Sequence, residues 1–381
     1  MMKQRIIGLD LVRSVAILFV LSVHFFLNSG YYYVNMSGTS MIFMTAFRWL
    51  FFTSVPLFLM LTGFLQNKKK LSKDFYRGII PVLSSYLFIS IATIFVRIFK
   101  FHEQKSIMLW IVSIFDFTAV EYAWYVEMFI GIFLLIPFLN LMYHGLDTKK
   151  KKLILVLTFL AITALPSFVS VTFGTYKEYK LLPEFWQYLS PFTYYFIGAY
   201  ISEYGINISK KYIALILALI LAYQTYIEYY KSAGLPFFAD KYNAYNGFPT
   251  VVISVLLFLL LYNIDFKNKA ARFVLSNISK ASFDIYLASY VFDILAYQIL
   301  IKKIADPADR FPYYFVVVPI VFVCAFLVSC IRRFVFYVVG KIFSRRQEEQ
   351  VASDGINAHY VNDIEPDTNV QETKELYADI K

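Results

Sequence analysis

The sequence predicts an all-α fold: a polytopic integral membrane helix bundle of about ten transmembrane helices, with both termini cytoplasmic. Of its 381 residues, 59% are hydrophobic and only 16% are charged. Apolar stretches of roughly 20 residues, the length needed to cross a bilayer, recur along most of the chain. A soluble fold would have too little polar surface, so the composition excludes a cytosolic enzyme, a secreted domain and a nucleic-acid-binding module.

Apolar windows predict ten spans in chain order. They cover approximately residues 7–29, 44–66, 78–100, 122–143, 153–173, 186–204, 212–230, 248–264, 281–301 and 313–339. A further apolar piece at 107–117 is too short to cross and contains Asp116. It is predicted to be an interfacial or re-entrant segment.

Loop charge predicts the orientation of these spans, because Lys and Arg are enriched in cytoplasmic loops. Alternate connections are basic, whereas the intervening ones carry far fewer cations. The basic groups are 68–77, 149–152, 210–211, 267–272 and 332–346. Both termini are therefore predicted to be cytoplasmic.

The composition changes abruptly after Arg346. Residues 347–381 contain nine acidic residues and two lysines, a net charge of −7, whereas the rest of the chain carries +17. Such a segment has too little apolar surface to offset its ordering entropy. We therefore predict two regions, a transmembrane domain at 1–346 and a disordered, acidic cytoplasmic tail at 347–381.

The first predicted span carries three ionisable residues on one face. At 100° per residue, Arg13 and His24 lie within about 20° of each other, and Asp10 lies within about 60° of both. His24 is about 16 Å beyond Arg13 along the helix axis, in the outer half of the span. A polar stripe therefore runs much of the way across the membrane.

This stripe has two interpretations. Asp10 and Arg13 could form an ion pair at the cytoplasmic boundary, with His24 a core imidazole bonded to a neighbouring helix. Alternatively, His24 is a proton acceptor or a transient acyl acceptor, since imidazole exchanges protons near neutral pH. Ionisable groups inside membrane helices are costly, which favours the functional interpretation.

The sequence resembles the acyltransferase-3 family in several segments that occur in the same order. The opening Gly8-Leu9-Asp10 with Arg13, ten residues and then His24 is similar to the family signature. The later matching segments are 58–65, 75–77 with Pro81 and Tyr86, Trp124-Tyr125 with Pro137, Pro191 with Gly198, and Ser282 with 285–287. The chain departs from the family pattern at Ser289, where a histidine is common, and at Lys73, where a second arginine is common.

The resemblance implies a bacterial enzyme of the cell (inner) membrane that O-acylates surface glycans. The donor would be a cytoplasmic acyl-CoA, expected to be acetyl-CoA acting as a substrate. The acceptor would be a hydroxyl of a polysaccharide or of its lipid-linked precursor. Besides these substrates the expected partner is the lipid bilayer, with no nucleic acid and no metal. His24, Arg13 and Asp10 would be the catalytic residues.

Other residues extend this hypothesis. Glu127, near the outer end of the fourth span, could orient His24 or an acceptor hydroxyl, or be a solvated boundary residue. Four residues at helical spacing form a polar stripe on the ninth span, which either bonds neighbouring helices or lines a substrate passage. They are Ser282, Tyr286, Ser289 and Asp293.

The densest basic cluster includes Lys70, Lys73 and Arg77. It marks the cytoplasmic face, and it also suits the phosphates of acyl-CoA, with Arg77 the best candidate because its planar fork binds phosphate bidentately. Aromatic residues crowd two outer loops, as an interfacial belt or as a platform for sugar rings. They are Tyr31, Tyr32, Tyr33, Phe237, Phe238, Tyr242 and Tyr245.

Two other functional classes remain possible from the sequence. A polytopic transporter would also have many spans and a few intramembrane charges, but internal repeats are expected in that class and none is found. A non-catalytic sensor could use the same fold, because a fold does not fix a function.

Overall fold

The computed structural model describes residues 5–172, 181–232 and 234–362. Within these residues the chain forms fourteen α-helices and no strand, which confirms the all-α class. The helices are α1 (Ile7–Ser29), α2 (Gly38–Phe51), α3 (Ser54–Gln66), α4 (Lys73–Arg77), α5 (Ile80–Phe99), α6 (Ile107–Phe115), α7 (Trp124–His144), α8 (Lys149–Thr163), α9 (Leu165–Thr172), α10 (Ser190–Tyr204), α11 (Lys210–Ser232), α12 (Phe248–Leu261), α13 (Lys269–Lys303) and α14 (Tyr314–Asn362).

Several helix ends follow from local sequence signals. Asn268 accepts hydrogen bonds from the first backbone N–H groups of α13, and Thr148 and Ser72 cap α8 and α4 in the same way. Helix α1 ends at Gly30, whose φ of 87° lies in the left-handed region that glycine adopts without strain. Gly30 and Asn268 therefore mark one end of each of the two helices, α1 and α13, that carry polar stripes.

Seven of the ten predicted spans are helical stretches long and apolar enough to cross a membrane, among the described residues. They are Ile7–Ser29, Gly38–Gln66, Lys73–Phe99, Glu121–His144, Lys210–Ser232, Lys269–Lys303 and Pro307–Lys341. The other three predicted spans correspond to α8 with α9, α10 and α12, each shorter than about 18 residues as a single helix. The polytopic bundle is confirmed, and the crossing by these three segments stays a prediction.

The predicted interfacial segment is the short helix α6, which ends at Phe115 just before Asp116. The chain divides into two units, the first ending at Cys330 and the second beginning at Ile331. The predicted domain boundary at 346 therefore falls within the second unit. Helix α14 continues to Asn362, and the predicted disorder of the tail beyond that point lies outside the described residues.

Helix α1 occupies the interior of the first unit. In its apolar window 78% of the residues are buried, compared with 28% for the Lys210–Ser232 helix. It contacts α13 and α3 along its length, and also α2 and α12. The stripe of Asp10, Arg13 and His24 therefore faces protein rather than lipid, as intramembrane charges require.

Helices α3 and α10 approach each other through two reciprocal glycines. A Cβ atom added to Gly63 would lie 1.9 Å from the backbone oxygen of Tyr195, and one added to Gly198 would lie 2.0 Å from that of Met60. Small residues at such positions let two backbones come into contact, which drives helix association in membranes. Both glycines belong to segments that resemble the acyltransferase-3 pattern, and their role is packing.

We expect Gly63→Ala and Gly198→Ala each to destabilise the protein, because the added methyl group meets backbone atoms that cannot move aside. Overpacking typically costs about 1–3 kcal/mol. The measurement is the melting temperature of detergent-solubilised protein. Gly131→Ala is the matched control, since nothing lies within 4 Å of its Cβ position in α7. Equal melting temperatures for Gly198→Ala and the control would contradict the close approach.

Candidate active site

His24 is buried in α1 and faces two side chains from distant parts of the chain. Its Nδ1 atom lies 3.4 Å from Oδ2 of Asp293 in α13. Its ring stacks on that of Tyr122, with 3.7 Å between ring centroids. Nδ1 forms no hydrogen bond to the described residues, so the contact with Asp293 is electrostatic in this geometry. The imidazole is thus held between an aromatic face and a buried carboxylate.

A hydrogen-bond chain fixes the groups around His24. Asn28 Nδ2 donates to the Tyr122 hydroxyl at 2.9 Å, and that hydroxyl donates to Asp293 Oδ2 at 3.0 Å. Asn28 Nδ2 also donates to the backbone oxygen of His24. An ionised carboxylate only accepts hydrogen bonds, so Asp293 favours the His24 tautomer with the proton on Nδ1. Nε2 is then available to accept a proton.

Asp10 and Arg13 are not paired with each other. Two nitrogens of Arg5 donate to the Asp10 carboxylate at 2.6 and 2.8 Å. Arg13 donates to Ser279 Oγ at 3.4 Å and forms no ion pair within the described residues. The interpretation of Asp10 and Arg13 as an ion pair is therefore wrong. Arg5 lies within reach of the carboxylate from just before the helix, which leaves the Arg13 guanidinium with the neutral Ser279 hydroxyl as its hydrogen-bond partner among the described residues.

A cavity of about 620 Å³ runs beside this stripe. It is lined by both Arg13 and His24, so it extends along α1 over the ~16 Å that separates them. We define its inner mouth, named after the predicted orientation, by Arg13, Gln66, Ser279 and Lys280, and its outer mouth by Leu27, Glu121, Trp124 and Tyr245. Most of the remaining wall is apolar, which suits a small-molecule site with few polar groups.

The predicted stripe on α13 divides between the cavity and the helix packing. Ser282 and Tyr286 line the cavity, and the Tyr286 hydroxyl has no hydrogen-bond partner among the described residues. Ser289 donates to the backbone oxygen of Tyr286 within the helix. Asp284 instead faces α5 and α14, where it accepts hydrogen bonds of 2.6 Å from Ser85 and Ser329. Asp293 is thus the member of the stripe that reaches His24.

Arg97 positions the loop that carries Tyr122. Its guanidinium donates to both carboxylate oxygens of Glu103 at 2.9 Å, and to the backbone oxygens of Thr118 and Ala119 at 3.1 and 3.2 Å. These carbonyls lie three and four residues before Tyr122. The sequence interpretation missed both Arg97 and Tyr122, although a single arginine in an apolar span was a signal for the former.

The remaining predicted site residues lie apart from His24. Glu127 is exposed on α7 and does not line the cavity. Lys70, Lys73 and Arg77 are exposed, and Arg77 contacts Asp74 at 3.3 Å. Their segment joins Gln66 to Val82, and both of these residues line the cavity. The basic cluster is therefore flanked in sequence by two cavity-lining residues, and its role in donor binding stays a prediction.

The predicted aromatic platform is only partly exposed. Tyr31, Phe237 and Tyr242 are buried. Phe237 instead packs against Arg48, whose guanidinium lies 4.1 Å from its ring centroid and 4.0 Å from that of Phe52. Arg48 is a buried charge that the sequence interpretation missed. Of the seven predicted aromatics, Tyr245 lines the cavity.

Three comparisons with known proteins bear on this site. The family model described as an acyltransferase domain matches residues 6–330. No curated protein and no solved structure matches the chain.

Among the described residues, no group of three or more His, Cys, Asp or Glu side chains is placed to hold a metal ion.

We expect acid to weaken the contact between Arg97 and Glu103. The hydrogen bond from Arg97 holds the pKa of Glu103 below its ordinary value. The stabilisation is therefore complete above the unfolded-state pKa, about 4.3, and is lost as the pH falls through the lower folded-state pKa. Melting temperatures of wild type and Glu103→Gln, measured from pH 7 down to pH 3, should converge on acidification.

Asp147→Asn is the control for this measurement. Asp147 forms an ion pair with Lys151 in which both side chains are more than half exposed. Exposed pairs contribute little to stability, so this variant should follow wild type at every pH. If the melting temperatures of wild type and Glu103→Gln differed by the same amount at every pH, the stabilising role assigned to the Arg97–Glu103 contact would be wrong.

Proposed function

Since the chain belongs to the acyltransferase-3 family of membrane acyltransferases, we propose that it transfers an acyl group from cytoplasmic acyl-CoA to a hydroxyl of a cell-surface polysaccharide or its lipid-linked precursor. Family membership itself confirms the resemblance found in the sequence. The proposal adds the identity of the donor, of the acceptor and of the acyl group, which we expect to be acetyl. It also places the protein in the bacterial inner membrane.

The observation that carries the proposal is the environment of His24. A base that takes a proton from a hydroxyl must reach its substrate and must hold a defined tautomer. His24 lines the cavity, and Asp293 lies 3.4 Å from its Nδ1. This arrangement leaves Nε2 as the acceptor atom. A histidine that only filled the core would not need a cavity beside it.

In the proposed reaction, Nε2 of His24 accepts the proton of the acceptor hydroxyl while its oxygen attacks the thioester carbonyl carbon. A carbon–oxygen bond forms, the carbon–sulfur bond breaks, and the departing thiolate of CoA takes the proton from the imidazolium. The buried Asp293 carboxylate stabilises the transient positive charge on His24. A second route fits the same residues. Nε2 attacks the thioester carbonyl carbon, a carbon–nitrogen bond forms, and the carbon–sulfur bond breaks to release CoA as its thiolate. The acceptor hydroxyl then attacks the acyl group, the carbon–nitrogen bond breaks, and the hydroxyl proton passes to the thiolate.

The inner mouth suits the donor. Arg13 and Lys280 line it, and neither forms an ion pair with a described residue, so two cations are available for an anionic ligand. The phosphates of acyl-CoA are such a ligand. Lys70, Lys73 and Arg77 lie on the adjacent segment and would attract it from solution. The thioester would then extend along the cavity towards His24.

An assay for acyl transfer separates this proposal from its alternatives. Purified protein in lipid nanodiscs is mixed with radiolabelled acetyl-CoA and a panel of polysaccharide precursors. The proposed enzyme releases free CoA thiol and labels an acceptor. A transporter would move solute without consuming thioester, and a sensor would do neither.

We expect His24→Ala to lower acyl transfer by at least about 100-fold, because general base catalysis of this kind contributes 10²–10⁴-fold. Asp293→Asn should also lower it, since the amide cannot stabilise the imidazolium. The measurement is thiol release per mole of folded protein. His102→Asn is the control, because His102 is exposed and its positive φ of 55° is one that asparagine tolerates. Substantial acyl transfer by His24→Ala would contradict the catalytic role proposed for His24.

We expect Lys280→Gln and Arg77→Ala to raise the apparent KM for acyl-CoA and to leave the acceptor KM unchanged. Each change removes a cation that would favour donor binding before the chemical step, by contact for Lys280 and by long-range attraction for Arg77. The measurement is initial rate against donor concentration at saturating acceptor. Lys150→Gln, at an exposed lysine in the first turn of α8, is the control. An unchanged donor KM in both variants would contradict a role in donor binding. These cations would then serve only to orient the protein in the membrane.

A further inference from the structure

The outer mouth of the cavity has an aromatic surface. Trp124 lines it and is 45% exposed. The ring of Tyr245 lies 5.9 Å from that of Trp124, and it stacks on Phe52 at 4.5 Å with an angle of 14° between the planes. Rings of this kind combine a broad apolar face with a polar edge, which suits the partly apolar face of a sugar ring.

The backbone that carries Tyr245 is held from two sides. The Tyr194 hydroxyl donates to the backbone oxygen of Tyr245 at 2.6 Å. Two nitrogens of the buried Arg48 donate to the backbone oxygen of Asn243, at 3.2 and 3.3 Å. The ring of Tyr245 is therefore in place before any ligand binds, and a preordered surface loses less entropy on binding.

Polar groups border this surface. Ser54 Oγ is buried in the cavity wall close to Tyr245, and it forms no hydrogen bond with the described residues in this geometry. A buried polar atom without a partner calls for an explanation, and a ligand hydroxyl would supply one. Glu121 adds a carboxylate that can accept hydrogen bonds from hydroxyls. It precedes Tyr122, whose ring lies on His24, so a ligand at this mouth would be next to the imidazole.

The charges lining the cavity differ between its two mouths. Arg13 and Lys280 belong to the inner mouth, whereas Glu121 is the acidic side chain that lines the outer mouth among the described residues. Arg97 is within electrostatic range of Glu121, but its guanidinium is already engaged by both oxygens of Glu103. An anionic ligand at the outer mouth would therefore face a carboxylate.

We propose that the outer mouth is an acceptor subsite for an uncharged sugar ring, with Trp124 and Tyr245 as its stacking surface, Ser54 and Glu121 as its hydroxyl partners, and Glu121 as the residue that excludes anionic sugars. The inference rests on the proposed function, because it gives His24 a hydroxyl to act on. It adds a selection by charge to that function.

Direct binding of sugars tests the subsite without any chemistry. The full-length protein in nanodiscs, with no acyl donor present, is titrated with methyl β-D-glucoside and with methyl β-D-glucuronide. Binding is followed by saturation-transfer NMR. Wild type should bind the glucoside saturably and the glucuronide more weakly. Trp124→Ala should lose at least about fivefold in glucoside affinity, as expected when a stacking ring is removed, and Trp124→Phe should retain most of it.

Two further variants make the test specific. Trp186→Ala is the matched control, since Trp186 is also half exposed but lies outside the central cavity. It should bind the glucoside as wild type does. Glu121→Gln should raise glucuronide affinity by at least about fivefold relative to the glucoside, because like charges no longer oppose each other.

Each outcome bears on the subsite. The absence of saturable glucoside binding to wild type would overturn it, as would equal losses in Trp124→Ala and Trp186→Ala. An unchanged preference in Glu121→Gln would overturn the selection by charge. If sugars bind as expected but no thiol is released from acyl-CoA, the subsite stands and the proposed function fails. If thiol is released from acyl-CoA but the sugars do not bind, the proposed function stands and the subsite fails.

Discussion

The contact between His24 and Asp293 is the constraint on which the arrangement of this protein depends. A carboxylate and an imidazole inside a membrane are costly unless they meet each other or water. Their 3.4 Å separation fixes the rotation of α1 against α13. That rotation in turn places Arg13 beside Ser279 and turns the whole polar stripe of α1 towards a cavity. The helices that surround α1 and α13 supply the rest of the cavity wall.

Two buried arginines hold the loops that complete this wall. Arg97 binds the backbone before Tyr122, and Arg48 binds the backbone before Tyr245. In each case a guanidinium satisfies carbonyl groups that would otherwise lack partners in an apolar environment. The long loops on that side of the bundle are thereby anchored. The reciprocal glycines Gly63 and Gly198 achieve close packing between α3 and α10.

Regular periodicity explains what the sequence could and could not reveal. The stripes on α1 and α13 follow from helical spacing, and the glycine positions of the family pattern fell in the helices that need them. Tyr122 lies at a loop boundary, where no periodicity shows which way a side chain points. Asp10 has both Arg5 and Arg13 within reach, and spacing alone does not select between them. Glu127 stayed exposed because its helix presents another face to the cavity.

The position of Asp293 far along the chain has a consequence for biosynthesis. Helix α1 is made first and carries His24, whereas its carboxylate partner arrives only when most of the protein has been synthesised and α13 inserts. Contacts between such distant segments form late in folding. The nascent protein therefore holds a histidine without its partner, and any fragment truncated before α13 lacks the pair altogether. The imidazole–carboxylate pair therefore exists only once α1 and α13 have come together.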